Sequence, residues 1–448
     1  MIPFRAVLRC LRGCPGDHPL HGALYRCPQC QGLLDVEHDL TALGQRGAAE
    51  WKALFRERRA EGRFPYDSGV WTRREWVAPD LPDEAIVSMG EGRSPLVAAR
   101  RFGAEIGADD LWIKQCGQSP TGSFKDLGMT VLVSTVLHAV RERRLSVRAI
   151  ACASTGDTSA ALAAYGAAAG LPVVVLLPRG KISTAQLVQP IASGARVLSL
   201  DTDFDGCMAI VQRLAARGLV YLANSMNALR LEGQKTVAFE MTEQLGGEPP
   251  DWVVVPSGNL GNVYALYRGF EMMRALGVTN RLPRLVAAQA ESADPLYRAW
   301  TAGEREVAPM RAAPTIASAI QIGNPVSAPR AMRALAATNG VVEHASEQEI
   351  ADTIARAGRT GLSACPHTAV ALSAAEKLCA QGVIQRGERV VIVSTASGLK
   401  FTDVMVRYHE GTLAGVASRY ANPPVDLPAD DDAVAQAISA LGRGATSM

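Results

Sequence analysis

No apolar run in this sequence approaches the roughly 20 residues that a helix needs to cross a bilayer, so a soluble protein is expected. Neither sign of charge predominates: 46 Lys and Arg stand against 44 Asp and Glu, a net charge of +2, with no basic block. Composition therefore points to neither a nucleic acid nor a membrane as partner. The opening MIPFRAVLRCLRGC lacks both the apolar segment with a small-residue cleavage site of a secretory signal and the Arg/Ser composition of a transit peptide. Also missing is a secreted disulfide framework. The nine cysteines are odd in number, four near the start and five scattered singly through apolar stretches, which fits a reducing, cytoplasmic compartment. There is no fixed-period repeat and no long low-complexity tract.

What is present is ordinary globular material, 48% apolar and 20% charged over 448 residues, enough for two to four domains. From about Val87 to Ala421, short apolar runs (VRAIACA, PVVVLL, RVLSL, DWVVVP, RLVAAQA, ERVVIVST) alternate with longer Ala-rich segments of helical period. Continuous apolar runs read as strands buried on both faces, and the segments between them as crossover helices, so an α/β fold with parallel sheets is expected. The first 80 residues show little periodicity and end in VAPDLPDE, which reads as a linker. After Asn422 the stretch PPVDLPADDD and a short Ala-rich helix read as a surface tail.

Chemistry begins at Gly117–Asp126, GQSPTGSFKD, after the short strand LWIK. The turn residues end at Ser123, which is expected to cap a helix starting near Phe124. Lys125 then lies in the first helical turn, where the helix dipole disfavours an ammonium and favours a neutral, nucleophilic amine. A lone lysine at such a position is ordinarily a solvated side chain. Two further turns change that reading. Ser154-Thr155-Gly156-Asp157-Thr158 and Ser257-Gly258-Asn259-Leu260-Gly261-Asn262 each follow an apolar strand and open a helix. A helix start of this kind offers backbone N–H groups to an anion. Anion-ready turns at strand carboxyl ends point to one shared crevice.

Near the start, Cys10-x3-Cys14 and Cys27-Pro28-Gln29-Cys30 have the spacing of a zinc ribbon, with His18 and His21 as loop residues rather than ligands. Cys365-Pro366-His367 has no oxyanion loop or third member beside it and reads as packing.

The segments SPTGSFKD, ASTGDTSAALAAY, ANSMNALRLEGQKT, PSGNLGNVYALYRGF and STASGLKF, in this order, resemble the threonine synthase family in its plant-like branch, as does GLLDVEHDL near Leu33. The likeness runs to about Pro424. It implies a fold-type II pyridoxal-phosphate (PLP) enzyme, tryptophan-synthase-β-like, with a large domain over residues 81–140 and 240–421 and a small α/β domain over 141–239. Residues 1–80 would form an N-terminal extension carrying the ribbon at 10–30, and 422–448 the tail. By the resemblance, Lys125 bears PLP as a Schiff base and shuttles protons, and Gly258, Asn259, Leu260, Gly261 and Asn262 cradle its phosphate. Asp157 meets the ring hydroxyl, where one shared proton is expected between carboxylate and phenolate, and Thr395 faces the ring nitrogen. Asn224, Ser225 and Arg230, with Ser154, Thr155 and Thr158, surround the substrate phosphate; an arginine suits that group because it binds phosphate bidentately. The implied reaction converts O-phospho-L-homoserine and water to L-threonine and phosphate, in a homodimer. Ser397 stands where the plant-like pattern commonly has His. The alternative reading is another fold-type II PLP lyase, such as a cysteate synthase or a hydroxyamino-acid dehydratase.

Overall fold

The computed structural model describes residues 4–154, 156–179 and 184–441. Among the described residues twelve strands form three sheets: β1 (Ala6–Cys10), β2 (Leu34–His38), β3 (Leu96–Ala98), β4 (Asp110–Gln115), β5 (Ala149–Ala153), β6 (Val173–Pro178), β7 (Arg196–Leu200), β8 (Val220–Leu222), β9 (Trp252–Pro256), β10 (Arg284–Ala290), β11 (Val341–Ala345) and β12 (Arg389–Ser394). The six-stranded sheet has the order β11-β10-β9-β12-β4-β3, and the four-stranded one β7-β6-β5-β8. Both are parallel throughout, except that β3 closes the larger sheet antiparallel to β4. The central expected runs became strands because a strand covered by helices on both faces must be apolar at every position; β5 and β9 are buried at each residue, whereas RVLSL became β7, a largely exposed edge strand. β1 and β2 form a separate antiparallel pair. No helix among the described residues is long and apolar enough to cross a membrane.

The helix Lys125–Arg141 is the hub of the molecule. Leu127 and Val131 join a core with Trp51, Phe55, Trp71, Trp76 and Phe239, while Met129, Leu132 and Val133 join another with β5 and β6. A helix packed on two sides has little freedom to move its first turn.

The region before residue 80 is more than an appendage. Trp51, Phe55, Trp76 and Phe239 pack ring on ring, with successive centroids 5.5, 4.9 and 5.1 Å apart, and each buried ring contributes about 1.5–3 kcal/mol by the area it removes from water. The stretch read as a linker is part of this wall. Val77, Ala78 and Leu81 are buried, so Pro and Asp there turn the chain without freeing it. Farther back, Asp35 in β2 accepts from Arg330 Nε at 2.8 Å and from Tyr264 Oη at 2.6 Å. That buried pair ties β2 to the helix Gly261–Ala275. After Asn422, Val425 is 76% exposed, and the helix Asp431–Leu441 projects from the rest as a surface element.

Candidate active site

Five segments converge at the carboxyl ends of β4, β5, β8, β9 and β12, the end at which parallel α/β sheets bind ligands. After β4, the loop to Lys125 zips along the segment that follows β12: Gly117 N donates to Ser394 O (3.2 Å), Phe124 N to Thr395 O (2.9 Å), and Ser397 N back to Gly122 O (2.9 Å). Thr395 thus sits beside the start of the Lys125 helix.

Ser123 does not cap that helix. Phe124 occupies the cap position in right-handed helical geometry (φ −63°, ψ −5°) with no side-chain bond, and Ser123 Oγ is buried without a partner among the described residues. Asp126 does the closing instead, accepting from Ser119 Oγ (2.6 Å), Thr121 N (2.8 Å) and Thr121 Oγ1 (2.6 Å). Burial raises its carboxyl to about 6. Lys125 keeps some exposure to the cleft, and its Nζ lies 4.1 Å from the centroid of the Phe124 ring. Desolvation, with the nearby Arg230 guanidinium, pushes its amine down to about 7, while Asp157 pulls weakly the other way.

Arg230 reaches Lys125 because two helices cross on glycine. A Cβ on Gly128 would come within 2.7 Å of Arg230 O, and one on Gly233 within 1.6 Å of Leu127 O. No other residue allows the Leu229–Gln234 helix so close. Arg230 is buried, donating from Nη1 to Ala223 O (3.2 Å) and from Nη2 to Thr158 Oγ1 (3.4 Å), with Nε unpartnered. Burial lowers its guanidinium to about 10. Among the described residues no carboxylate pairs with it. A buried cation without a counter-ion is costly unless an anion joins it.

On the small sheet, Ser154 is half-buried and Thr158 stands in the first turn of the helix Asp157–Ala168; Thr155 lies outside the described residues. Asn224 spends its amide on β5, accepting from Ala153 N (3.1 Å) and donating to Ala153 O (2.8 Å). These bonds brace the turn that follows β8 against the end of β5. Ser225 follows it, half-buried.

After β9, Leu260 takes the left-handed conformation (φ 67°) and opens the helix Gly261–Ala275. Among the described residues the N–H groups of Gly258, Asn259 and Leu260 donate to no acceptor. Unspent amides before a helix N-terminus form a phosphate cradle, so these residues fit the PLP phosphate. Gly258 packs on Ile320, Asn259 Oδ1 accepts from Val326 N (3.4 Å), and Asn262 Nδ2 ties back to Pro256 O (2.8 Å). Leu231 Cδ2 lies 3.3 Å from where a Gly261 Cβ would stand, which joins this loop to the Arg230 helix.

Asp157 has a partner that its own motif does not reveal: Lys400 Nζ lies 2.7 Å from its Oδ1. The same ammonium donates to Gln189 Oε1 (2.8 Å) and Thr121 O (3.0 Å). Sequence reasoning missed both Lys400 and Gln189. The one signal was that Lys400 belongs to STASGLKF.

Cys365 and His367 do the packing expected of them. Cys365 caps its helix through Thr368 N (3.4 Å), and His367 Nε2 accepts from Ala319 N (3.0 Å) with its ring 4.9 Å from Phe401. Burial keeps this imidazole neutral, down to about 4.

In the N-terminal region, the Sγ atoms of Cys10, Cys14, Cys27 and Cys30 all lie within 4.8 Å of one another, and none is in a disulfide. Tetrahedral zinc with Zn–S near 2.3 Å sets sulfurs roughly 3.8 Å apart, so four convergent thiols fit that metal. The ribbon also covers a sheet edge: Tyr25 Oη accepts from Leu222 N at 2.8 Å.

A family model described as pyridoxal-phosphate dependent enzyme matches residues 87–396. The chain is 53% identical to threonine synthase 2, chloroplastic, of Arabidopsis thaliana over 92% of its own length and 80% of that protein. It is 38% identical to threonine synthase of Methanocaldococcus jannaschii over 90% of its length and 95% of that protein. The crystal structure of threonine synthase from Escherichia coli superimposes with a TM-score of 0.68 at 22% identity, covering 98% of this chain and all of that one.

Proposed function

The chain belongs to the pyridoxal-phosphate dependent enzymes and, within them, to the threonine synthases, and from that premise we propose which of its residues carry the conversion of O-phospho-L-homoserine and water to L-threonine and phosphate. The observation that carries the proposal is the pairing of Lys125, an amine brought down to about 7, with Arg230, a buried guanidinium that has no carboxylate partner among the described residues.

Lys125 is the residue that binds PLP. With the cofactor held, its amine would move protons between Cα and the outer carbons of the substrate, a task suited to a group poised near neutrality. When bound, PLP supplies the electron sink for charge developing at Cα. The amides of Gly258, Asn259 and Leu260, with Gly261 and Asn262, hold the cofactor phosphate; Asp157 faces the ring hydroxyl and Thr395 the ring nitrogen. Arg230 holds the substrate phosphate with Ser225, Thr158 and Ser154. Asn224 serves by fixing the turn. A dehydratase substrate carries no phosphate and leaves Arg230 uncompensated, which favours the phosphorylated substrate. A panel of O-phosphohomoserine, phosphoserine, serine and threonine tests this: turnover is expected on the first alone, and faster release of pyruvate or 2-oxobutyrate from the others contradicts it.

We further propose that the four-cysteine cluster holds a structural zinc, that residues 81–140 with 240–421 and residues 141–239 act as large and small domains around the cleft, and that the protein is a cytoplasmic homodimer. The odd number and the scatter of the nine cysteines along the sequence support the compartment.

A further inference from the structure

We propose that Lys400 is a positioning residue of this site, which keeps Asp157 charge-compensated and latches the Lys125 loop to the small sheet. This rests on the reading above that Asp157 faces the cofactor ring. An ammonium has three donors, and Lys400 spends them on three separate segments: Asp157 Oδ1 at 2.7 Å, Gln189 Oε1 at 2.8 Å and Thr121 O at 3.0 Å. Gln189 completes the triangle by donating to the same Thr121 O at 3.0 Å. Asp157 and Gln189 lie on helices of the small sheet, whereas Thr121 lies four residues before Lys125.

The lysine is well held for such a task. Its N–H donates to Ser397 O (3.2 Å), and its stem lies on Gly122, where a Cβ would come 3.1 Å from Lys400 Cδ. Its neighbour Leu399 is 79% exposed, yet the Lys400 side chain turns inward to the carboxylate. An exposed ammonium gains nothing by that burial unless a fixed anion meets it.

The chemical consequence concerns net charge. An aspartate alone beside a ring phenolate is a like-charge contact, which a shared proton would relieve. Paired with Lys400 at 2.7 Å, it presents an ion pair of no net charge and needs no such proton. Lys125, His367 and Cys365 also sense Asp157. Arg230 acts on Lys125 in turn. In the loaded protein Lys125 is committed to the cofactor. His367 is held neutral by burial, and burial raises the Cys365 thiol. Neither competes with Lys400 near neutrality.

The test is a pH titration of the visible absorbance of the PLP-loaded protein. Removing the cation leaves Asp157 uncompensated, and an added negative charge favours the protonated chromophore. K400M should therefore raise the titration midpoint by about one pH unit, the lower end of what a charge within contact range does. K400R should stay close to the native midpoint, and D157N in the K400M background should bring it back, because that pair is again neutral. K400Q repeats the test without the charge should K400M not fold. An unchanged midpoint in both K400M and K400Q overturns the proposal, as does a K400M shift that persists undiminished with D157N. A borohydride-reducible PLP adduct to the protein that still forms in Lys125→Ala overturns the cofactor reading itself, and the proposal with it.

Discussion

Gly128 lies flush against Arg230: a Cβ there would stand 2.7 Å from the arginine's carbonyl oxygen and 3.1 Å from its Cα. This contact sets the spacing between the residue proposed to hold the cofactor and the one proposed to hold the substrate phosphate. Gly233→Ala tests it from the other side, since its Cβ would meet Leu127 O at 1.6 Å. Overpacking of this kind costs about 1–3 kcal/mol and moves backbone. We expect lower stability in urea unfolding and a KM for O-phosphohomoserine raised at least tenfold. A native KM would show that the helix crossing does not set the site.

Lys125 gives a pH prediction for the cofactor-free protein. Its amine is lowered to about 7 by desolvation and by Arg230, so the nucleophilic form is absent well below that pH and full above it. The rate of PLP capture, followed by absorbance, should rise with pH through about 7 and level off. A rise that continues to near pH 10 would mean an ordinary lysine.

Arg230→Met separates binding from folding. A buried cation without a counter-ion stabilises nothing, and an apolar group of similar length is often neutral or better by about 1–4 kcal/mol. In phosphate-free buffer the variant should melt no lower than the native protein. Inorganic phosphate should raise the native Tm but not the variant's, and kcat/KM should fall at least a hundredfold, the lower range for removing one partner of a buried charge pair. A large drop in Tm would make Arg230 a structural residue.

Much of this was legible in the sequence, and the reasons for the gaps are physical. Continuous apolar runs such as DWVVVP and ERVVIVST became β9 and β12, because burial on both faces leaves no alternation to misread. The Lys125, Asp157 and Gly258 turns were visible because each combines turn residues with a following helix. Ser123 was misread as a cap, since Asp126, three residues on, takes the turn's hydroxyls and amide for itself. VAPDLPDE has a linker's composition, but its apolar residues meet a wall built from Trp51, Trp71 and Trp76. Lys400 and Asp157 lie far apart in sequence, and no local pattern announces such a partner.

For the ribbon, one zinc per chain is expected on metal analysis. Cys27→Ser with Cys30→Ser should lower the Tm by several degrees, because metal binding is coupled to local folding. Tyr25→Phe should do so more mildly, by removing the acceptor for Leu222 N that blunts the β8 edge. Metal-free protein of unchanged Tm would make the cluster an unloaded set of thiols.

The most direct test of the central claim is the simultaneous measurement of phosphate and threonine from O-phosphohomoserine, by native protein and Lys125→Ala, both supplied with PLP. Equal amounts of the two products from the native protein and none from the variant are predicted. A PLP-loaded native protein that releases neither, or a variant that retains turnover, would contradict the assignment of Lys125 and of the reaction it serves.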